Sequence, residues 1–252
     1  MLTSANAAAV AEQFGVDDSQ VVRDHLLSHL LVVIADRFHD RVVFFGGTAL
    51  ARTHVPDGRL SEDLDLLAIS GRPDVAREME AALATGVRRE YGTLTWEPPL
   101  NEVSGAAPAV LRSPDGIKVR VQLLEAGGYP AWPTERRTLT NRYEDVPSAT
   151  LTVPTLQSFV ASKTVAWCDP AAPRDLYDLR QLARIGSMTQ QAAGLFARLG
   201  PTNHPPRDWM FDHSPSRQAW HAELGGQTRL TIGPDEALSV VRSAWRDATS
   251  TP

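Results

Sequence analysis

The chain's 252 residues, 42% hydrophobic and 22% charged, have the make-up of an ordinary globular protein and suffice for one large domain or two joined ones. A net charge of −5 argues against a protein that coats nucleic acid by bulk charge, and the one cysteine, Cys168, excludes a disulfide framework and a thiolate metal cluster. Leu30 to Ala35 is too short an apolar run to cross a bilayer and Met1 to Asp18 lacks the shape of a signal peptide, so a cytoplasmic protein with no membrane partner is expected.

In chain order, Val21 to Phe38 predicts a helix, with Leu27, Leu30, Leu31, Ile34 and Phe38 on one stripe. Arg41 to Phe45 is a short apolar run stopped by two glycines, hence a buried strand. A helix is expected to begin at Thr48, and Val55-Pro56-Asp57-Gly58 is a turn. Leu64 to Ile69 predicts a second strand and Asp74 to Glu90 a helix. Further strands are expected at Thr93 to Trp96, Ala109 to Arg112 and Ile117 to Leu124, the last two joined through Ser113-Pro114-Asp115-Gly116, and at Thr150 to Val153. From Pro154 the pattern turns helical: Thr155 to Trp167, Arg174 to Ile185, Thr189 to Leu199 and Pro234 to Asp247, with a proline-rich loop at Pro201 to Pro206. An α/β part with a mixed sheet over residues 1–153 and a mainly helical part over 154–252 follow. Cys168 is expected as a small buried hydrophobe.

Two features carry chemistry. Phe45-Gly46-Gly47-Thr48 ends a strand and opens a helix, a place where backbone N–H groups can approach a phosphate and where the Thr48 hydroxyl can donate to it. Asp63 and Asp65 stand two apart on a strand, so both carboxylates leave one face, about 6–7 Å apart at Cα. Paired carboxylates on an apolar strand repel each other and lose hydration, a cost that a divalent cation removes. Magnesium prefers one or two carboxylates plus phosphate oxygens. Later in the chain, Lys163 shares a stripe with Leu156, Phe159 and Val160, where an ammonium needs a reason to be. Asp175 and Asp178 lie three apart on one helix face; Asp175 could simply complement the helix N-terminus after Pro173, whereas Asp178 is a turn in.

A Gly-Gly turn followed by an Asp-x-Asp strand resembles the nucleotidyltransferase superfamily of DNA polymerase β. The wording Phe45-Gly-Gly-Thr-Ala-Leu-Ala-Arg52, then Arg59-Leu-Ser-Glu-Asp-Leu-Asp-Leu66, looks more narrowly like the AbiEii/AbiGii type IV toxin family, MenT-like members included. Lys163-x-x-Ala166 and Arg174-Asp-Leu-Tyr-Asp-Leu179 resemble that family's second signature. The resemblance spans roughly residues 25 to 185.

That resemblance implies a polymerase β-like core, catalytic roles for Asp63, Asp65, Lys163, Asp175 and Asp178, and magnesium on Asp63 and Asp65. It implies nucleotide contacts from Gly46, Gly47, Thr48, Ser61 and Lys163, with the helical part completing the active-site cleft. One of Asp175 and Asp178 is expected as general base, Asp175 first. The implied reaction moves a nucleoside monophosphate from an NTP to the 3′ acceptor end of tRNA, in a cell carrying an AbiEi-like antitoxin. Two departures stand out: the strand Lys118 to Gln122 lacks the superfamily's third carboxylate, leaving Glu125 as a substitute, and Asp169-Pro170 replaces an arginine. Arg88-Arg89, Arg112, Lys118, Arg120 and Arg136-Arg137 are candidate RNA contacts, and Trp132 a candidate stacking surface. A transferase acting on a small molecule or protein, and a non-catalytic nucleotide-binding module, remain as alternatives.

Overall fold

The computed structural model describes residues 1–105 and 107–250. The chain divides into two compact units, the first of Met1–Tyr129 with Glu135–Val153 and the second of Pro130–Thr134 with the chain from Pro154 onward.

The first unit is a sheet with helices. Its elements are α1 (Ser4–Phe14), α2 (Asp18–Phe38), β1 (Val42–Phe45), α3 (Gly46–Ala51), β2 (Asp63–Ala68), α4 (Arg72–Gly86), α5 (Arg88–Tyr91), β3 (Thr95–Trp96), β4 (Ala109–Arg112), β5 (Lys118–Glu125), β6 (Thr134–Thr138) and β7 (Thr150–Pro154). Among the described residues the sheet has seven strands in the order β3-β4-β5-β2-β1-β7-β6. It is mixed: β1 runs antiparallel to β2 but parallel to β7, while β2 runs parallel to β5. β2 and β1 are therefore central, and their apolar side chains Leu64, Leu66, Val42 and Phe44 are fully buried. α2 is capped by Asp17, whose carboxylate accepts from the Gln20 amide. Its predicted stripe is buried, with Leu27, Leu30 and Ile34 at 0% exposure.

Six of the seven described strands lie at the predicted runs, while β6 lies outside them, and the Ser113–Gly116 turn closes the β4–β5 hairpin with Gly116 at φ +84°. The helix expected from Asp74 to Glu90 is instead two pieces. α4 stops at Gly86, whose missing Cβ lets α4 approach Val33 of α2, and α5 turns Tyr91 back onto α2.

The second unit contains α6 (Leu156–Cys168), α7 (Pro173–Arg184), α8 (Gln190–Leu199), a 3-10 turn (Asp208–Phe211), α9 (Arg217–Leu224) and α10 (Pro234–Ser250). α7 packs against α6, α9 and α10. The buried indoles of Trp167 and Trp220 donate to the carbonyls of Met210 and Ile232, which satisfies both N–H groups inside the bundle. Cys168 corrects an expectation. It ends α6 and is exposed rather than packed in the core. Among the described residues no helix is long and apolar enough to cross a membrane.

Candidate active site

In the first unit the site grows from the pairing of β1 with β2. The register sets Phe45 opposite Asp65, so the Gly46-Gly47 turn falls beside the start of β2. Asp63 and Asp65 occupy the half-exposed positions of β2, and Leu64 and Leu66 the buried ones. Both carboxylates thus leave one face.

Each glycine has a separate steric reason. Gly46 has φ +78°, and a Cβ there would lie 2.0 Å from Asp65 Oδ2. No side chain fits without moving the aspartate. At Gly47 a Cβ would lie 2.5 Å from a guanidinium nitrogen of Arg59 and 3.2 Å from Ser61 Oγ. The turn is therefore a cradle for Asp65, Arg59 and Ser61 before any ligand arrives. Thr48 corrects its expected role: its hydroxyl donates to the Asp63 carbonyl at 2.5 Å, and the side chain is buried, so it ties α3 to β2 instead of offering its proton to phosphate.

The neighbouring strand explains the missing carboxylate. β5 sets Arg120 opposite Asp63 and Gln122 opposite Asp65. Arg120 grips Asp63 bidentately, Nε to Oδ1 at 2.7 Å and Nη2 to Oδ2 at 3.1 Å. That hydrogen bonding raises the guanidinium's pKa above its ordinary value. Glu125 lies opposite Ala68 at the far end of β2, so it is no substitute for the third acid. The charge argument drawn from sequence was incomplete, because a protein cation already faces Asp63.

In the second unit, Lys163 on α6 reaches both acids of α7. Its Nζ lies 2.9 Å from Asp175 Oδ1 and 2.8 Å from Asp178 Oδ2. All three side chains are at most 10% exposed. The spacing of three residues on α7 is what brings both carboxylates to one ammonium. One ammonium and two carboxylates carry a formal charge of −1, so the ammonium is already engaged by both acids.

Of the expected RNA contacts, Arg88, Arg89, Lys118 and Arg136 are exposed, whereas Arg112 pairs with Glu97 at 2.9 Å. Trp132 is 9% exposed and packs as core, with little surface for a base. Arg59 was not singled out from the sequence as a site residue, although it lies in the motif string and is 3% exposed. Among the described residues, His25, His29 and Asp145 form a group of three ligating side chains that could hold a divalent metal, a cluster separate from Asp63 and Asp65.

A family model for the nucleotidyl transferase AbiEii toxin of type IV toxin–antitoxin systems matches residues 29–238. The chain belongs to this family. It is a nucleotidyltransferase toxin of the AbiEii type, and its mixed sheet followed by helices is the architecture expected from sequence. Family membership brings with it a nucleotide substrate and an antitoxin partner. Among solved structures the chain is similar to MenT4, a nucleotidyltransferase toxin from Mycobacterium tuberculosis H37Rv, with TM-score 0.73 and 21% identity over 100% of this chain and 91% of that one. It is also similar to JHP933 from Helicobacter pylori (TM-score 0.57, 12% identity, 93% and 94% of the two chains). A putative nucleotidyltransferase from H. pylori gives 0.53 and 13%, over 93% and 96%. At these identities the shared property is the fold. A comparison with curated proteins gave no match.

For an AbiEii enzyme of this geometry, Gly46→Ala is expected to cost activity and stability together. The left-handed φ alone costs an alanine about 1–2 kcal/mol, and the new methyl must push Asp65 aside. Transfer of labelled NMP and thermal melting read the two effects. A variant as active as the parent would mean that Asp65 tolerates displacement.

Proposed function

We propose that this toxin transfers a nucleoside monophosphate from an NTP to the 3′ acceptor end of tRNA, with magnesium held by Asp63 and Asp65. The observation that carries the reading is the pair of carboxylates on one face of β2, with Gly46 leaving Asp65 no neighbouring Cβ. The fit to magnesium is good in donor type, since it prefers one or two carboxylates together with phosphate oxygens, and β2 offers two carboxylates on one face. Arg120 competes with the metal there, because its guanidinium donates to both oxygens of Asp63 and places a second positive charge beside them. Bound there, the metal would supply electrostatic stabilisation to the triphosphate and the leaving pyrophosphate.

The chain's own groups do the rest. Amides of the Gly46-Gly47 turn are the proposed phosphate donors, with Arg59 and Ser61 beside them. For the second unit, the family resemblance implies a nucleotide contact from Lys163 and a general-base role for one of Asp175 and Asp178. The tRNA acceptor and an AbiEi-like antitoxin are what the family resemblance implies.

Incubation with each labelled NTP, Mg²⁺ and total RNA tests the proposal. Label on tRNA supports it, and label on a metabolite or on protein replaces the acceptor. Bound NTP without turnover on any acceptor would reduce the chain to a binding module. Induced expression should arrest growth, and Asp65→Ala should relieve the arrest.

Arg120 gives a sharper test. The pair with Asp63 is half-exposed, worth only about 0–1 kcal/mol, so Arg120→Ala should fold normally. With the competing cation gone, half-maximal transfer should need less Mg²⁺. A magnesium titration showing no shift would sink the competition argument.

A further inference from the structure

We propose that His25, His29 and Asp145 form a binding site for a first-row transition-metal dication, zinc by preference, that fastens the turn carrying Asp145 to α2. The site lies in the first unit and is independent of the aspartate pair on β2.

His25 and His29 are one helical turn apart on α2, so both rings leave the same face. Their ring centroids are 4.7 Å apart. Asp145 faces them from the turn before β7: both its oxygens are 3.1 Å from His25 Nε2, and Oδ2 is 3.7 Å from His29 Nε2. One candidate donor atom from each residue lies within 4.8 Å of the other two. Donors on one tetrahedral zinc stand roughly 3.3 Å apart, from Zn–N distances of about 2.0–2.1 Å, so small ring rotations would close the set.

Two observations point to a ligand rather than to a finished hydrogen-bond network. His29 Nε2 is buried and has no hydrogen-bond partner, although the residue is only 8% exposed. A buried ring nitrogen left this way is costly. The second is the outer contact of His25. Its Nδ1 lies 2.5 Å from the Tyr91 hydroxyl, and that hydroxyl in turn donates to the Val22 carbonyl at 3.3 Å. With Tyr91 accepting from Nδ1–H, the Nε2 lone pair faces the carboxylate and a cation between them removes the repulsion; a ring N–H held by an outer acceptor is the usual support of a metal-bound histidine.

Imidazole donors select zinc and its neighbours, whereas magnesium takes oxygen. Glu90 and the Met1 ammonium also face this cluster, the latter 2.8 Å from Asp145 Oδ2, and Tyr143 packs edge-on against His25. The competing account is a His25 imidazolium paired with Asp145, with no metal.

The test is zinc binding by the chelator-stripped full chain, by competition with a chromophoric chelator, with Co²⁺ d–d absorption as a second probe. One zinc per chain is expected, raising the melting temperature. His29→Gln, which keeps the bulk, should lower zinc affinity at least about tenfold, the scale of losing even an outer support. Tyr91→Phe should weaken binding less. Asp63→Asn/Asp65→Asn should leave this zinc in place. No uptake by the parent overturns the proposal in favour of the imidazolium pair. Uptake unchanged in His29→Gln, or lost in the β2 double variant, overturns it in favour of another site.

Discussion

Asp65→Asn is expected to abolish detectable nucleotide transfer while the protein melts within a few degrees of the parent. Asparagine keeps the shape that Gly46 accommodates, so the turn need not move. What disappears is one of the two negative charges proposed to hold magnesium. Losing a mere outer partner of a metal ligand costs about 10–100-fold, so losing a ligand should cost more than about a hundredfold. Asp63→Asn should lose activity too, and its broken pair with a half-exposed Arg120 should cost little stability. Lys163→Ala is a poorer probe. It would leave the buried Asp175 and Asp178 facing each other without the ammonium, destabilising by about 3–5 kcal/mol. Its loss of activity would then mix chemistry with unfolding. Single-turnover transfer by Asp65→Asn at the parent's rate would remove Asp65 from the reaction.

Much of this was legible in the sequence where one physical signal dominates. Alternation in Asp63-Leu-Asp-Leu specifies which side chains go to the core, and the structure has that face pattern. α2 is legible because five apolar residues recur on one stripe. β6 is not legible, since Thr134-Glu-Arg-Arg-Thr138 has no apolar face; it is the last strand of the sheet and its side chains alternate between exposed and half-buried. α1 is rich in alanine with only Val10 and Phe14 buried, and α9 buries only Trp220 and Leu224, so neither has a stripe to read. Within the site, the polar face of β5 can be read from Lys118, Arg120 and Gln122, but strand order and register cannot. Only register shows that Arg120 meets Asp63 and that Glu125 does not. The same holds for Thr48, whose partner is a backbone carbonyl far along the chain.

The largest stability effect is expected from Asp24→Ala, outside the motifs altogether. Asp24 on α2 is 1% exposed and holds two buried guanidinium groups: Arg52 at 2.9 Å and Arg142 at 3.2 Å. The Tyr143 hydroxyl also donates to it at 2.9 Å. Arg52 is the residue that ends α3, and it also donates to Ser28. Arg142 further donates to the carbonyls of Ala51 and Pro56. This one carboxylate thus anchors the far end of the helix that the Gly46-Gly47 turn begins. Removing it leaves two cations close together in the interior, where burial and the neighbouring Arg52 already hold the Arg142 pKa down to about 10. Breaking such a group from one side costs about 3–5 kcal/mol, which for a chain of this size lowers the melting temperature by about 10 °C or more. The pH dependence gives a signature of its own. Burial alone would raise the Asp24 pKa, but Arg52 and Arg142 outweigh it and hold it below its ordinary value of 3.8. A carboxylate depressed in the folded state stabilises above its unfolded pKa and loses that contribution as pH falls through the folded one. The gap in melting temperature between parent and Asp24→Ala should therefore be full at neutral pH and shrink only below about pH 4. A gap that stays constant into strong acid would mean that the variant fails through lost packing and not through lost charge.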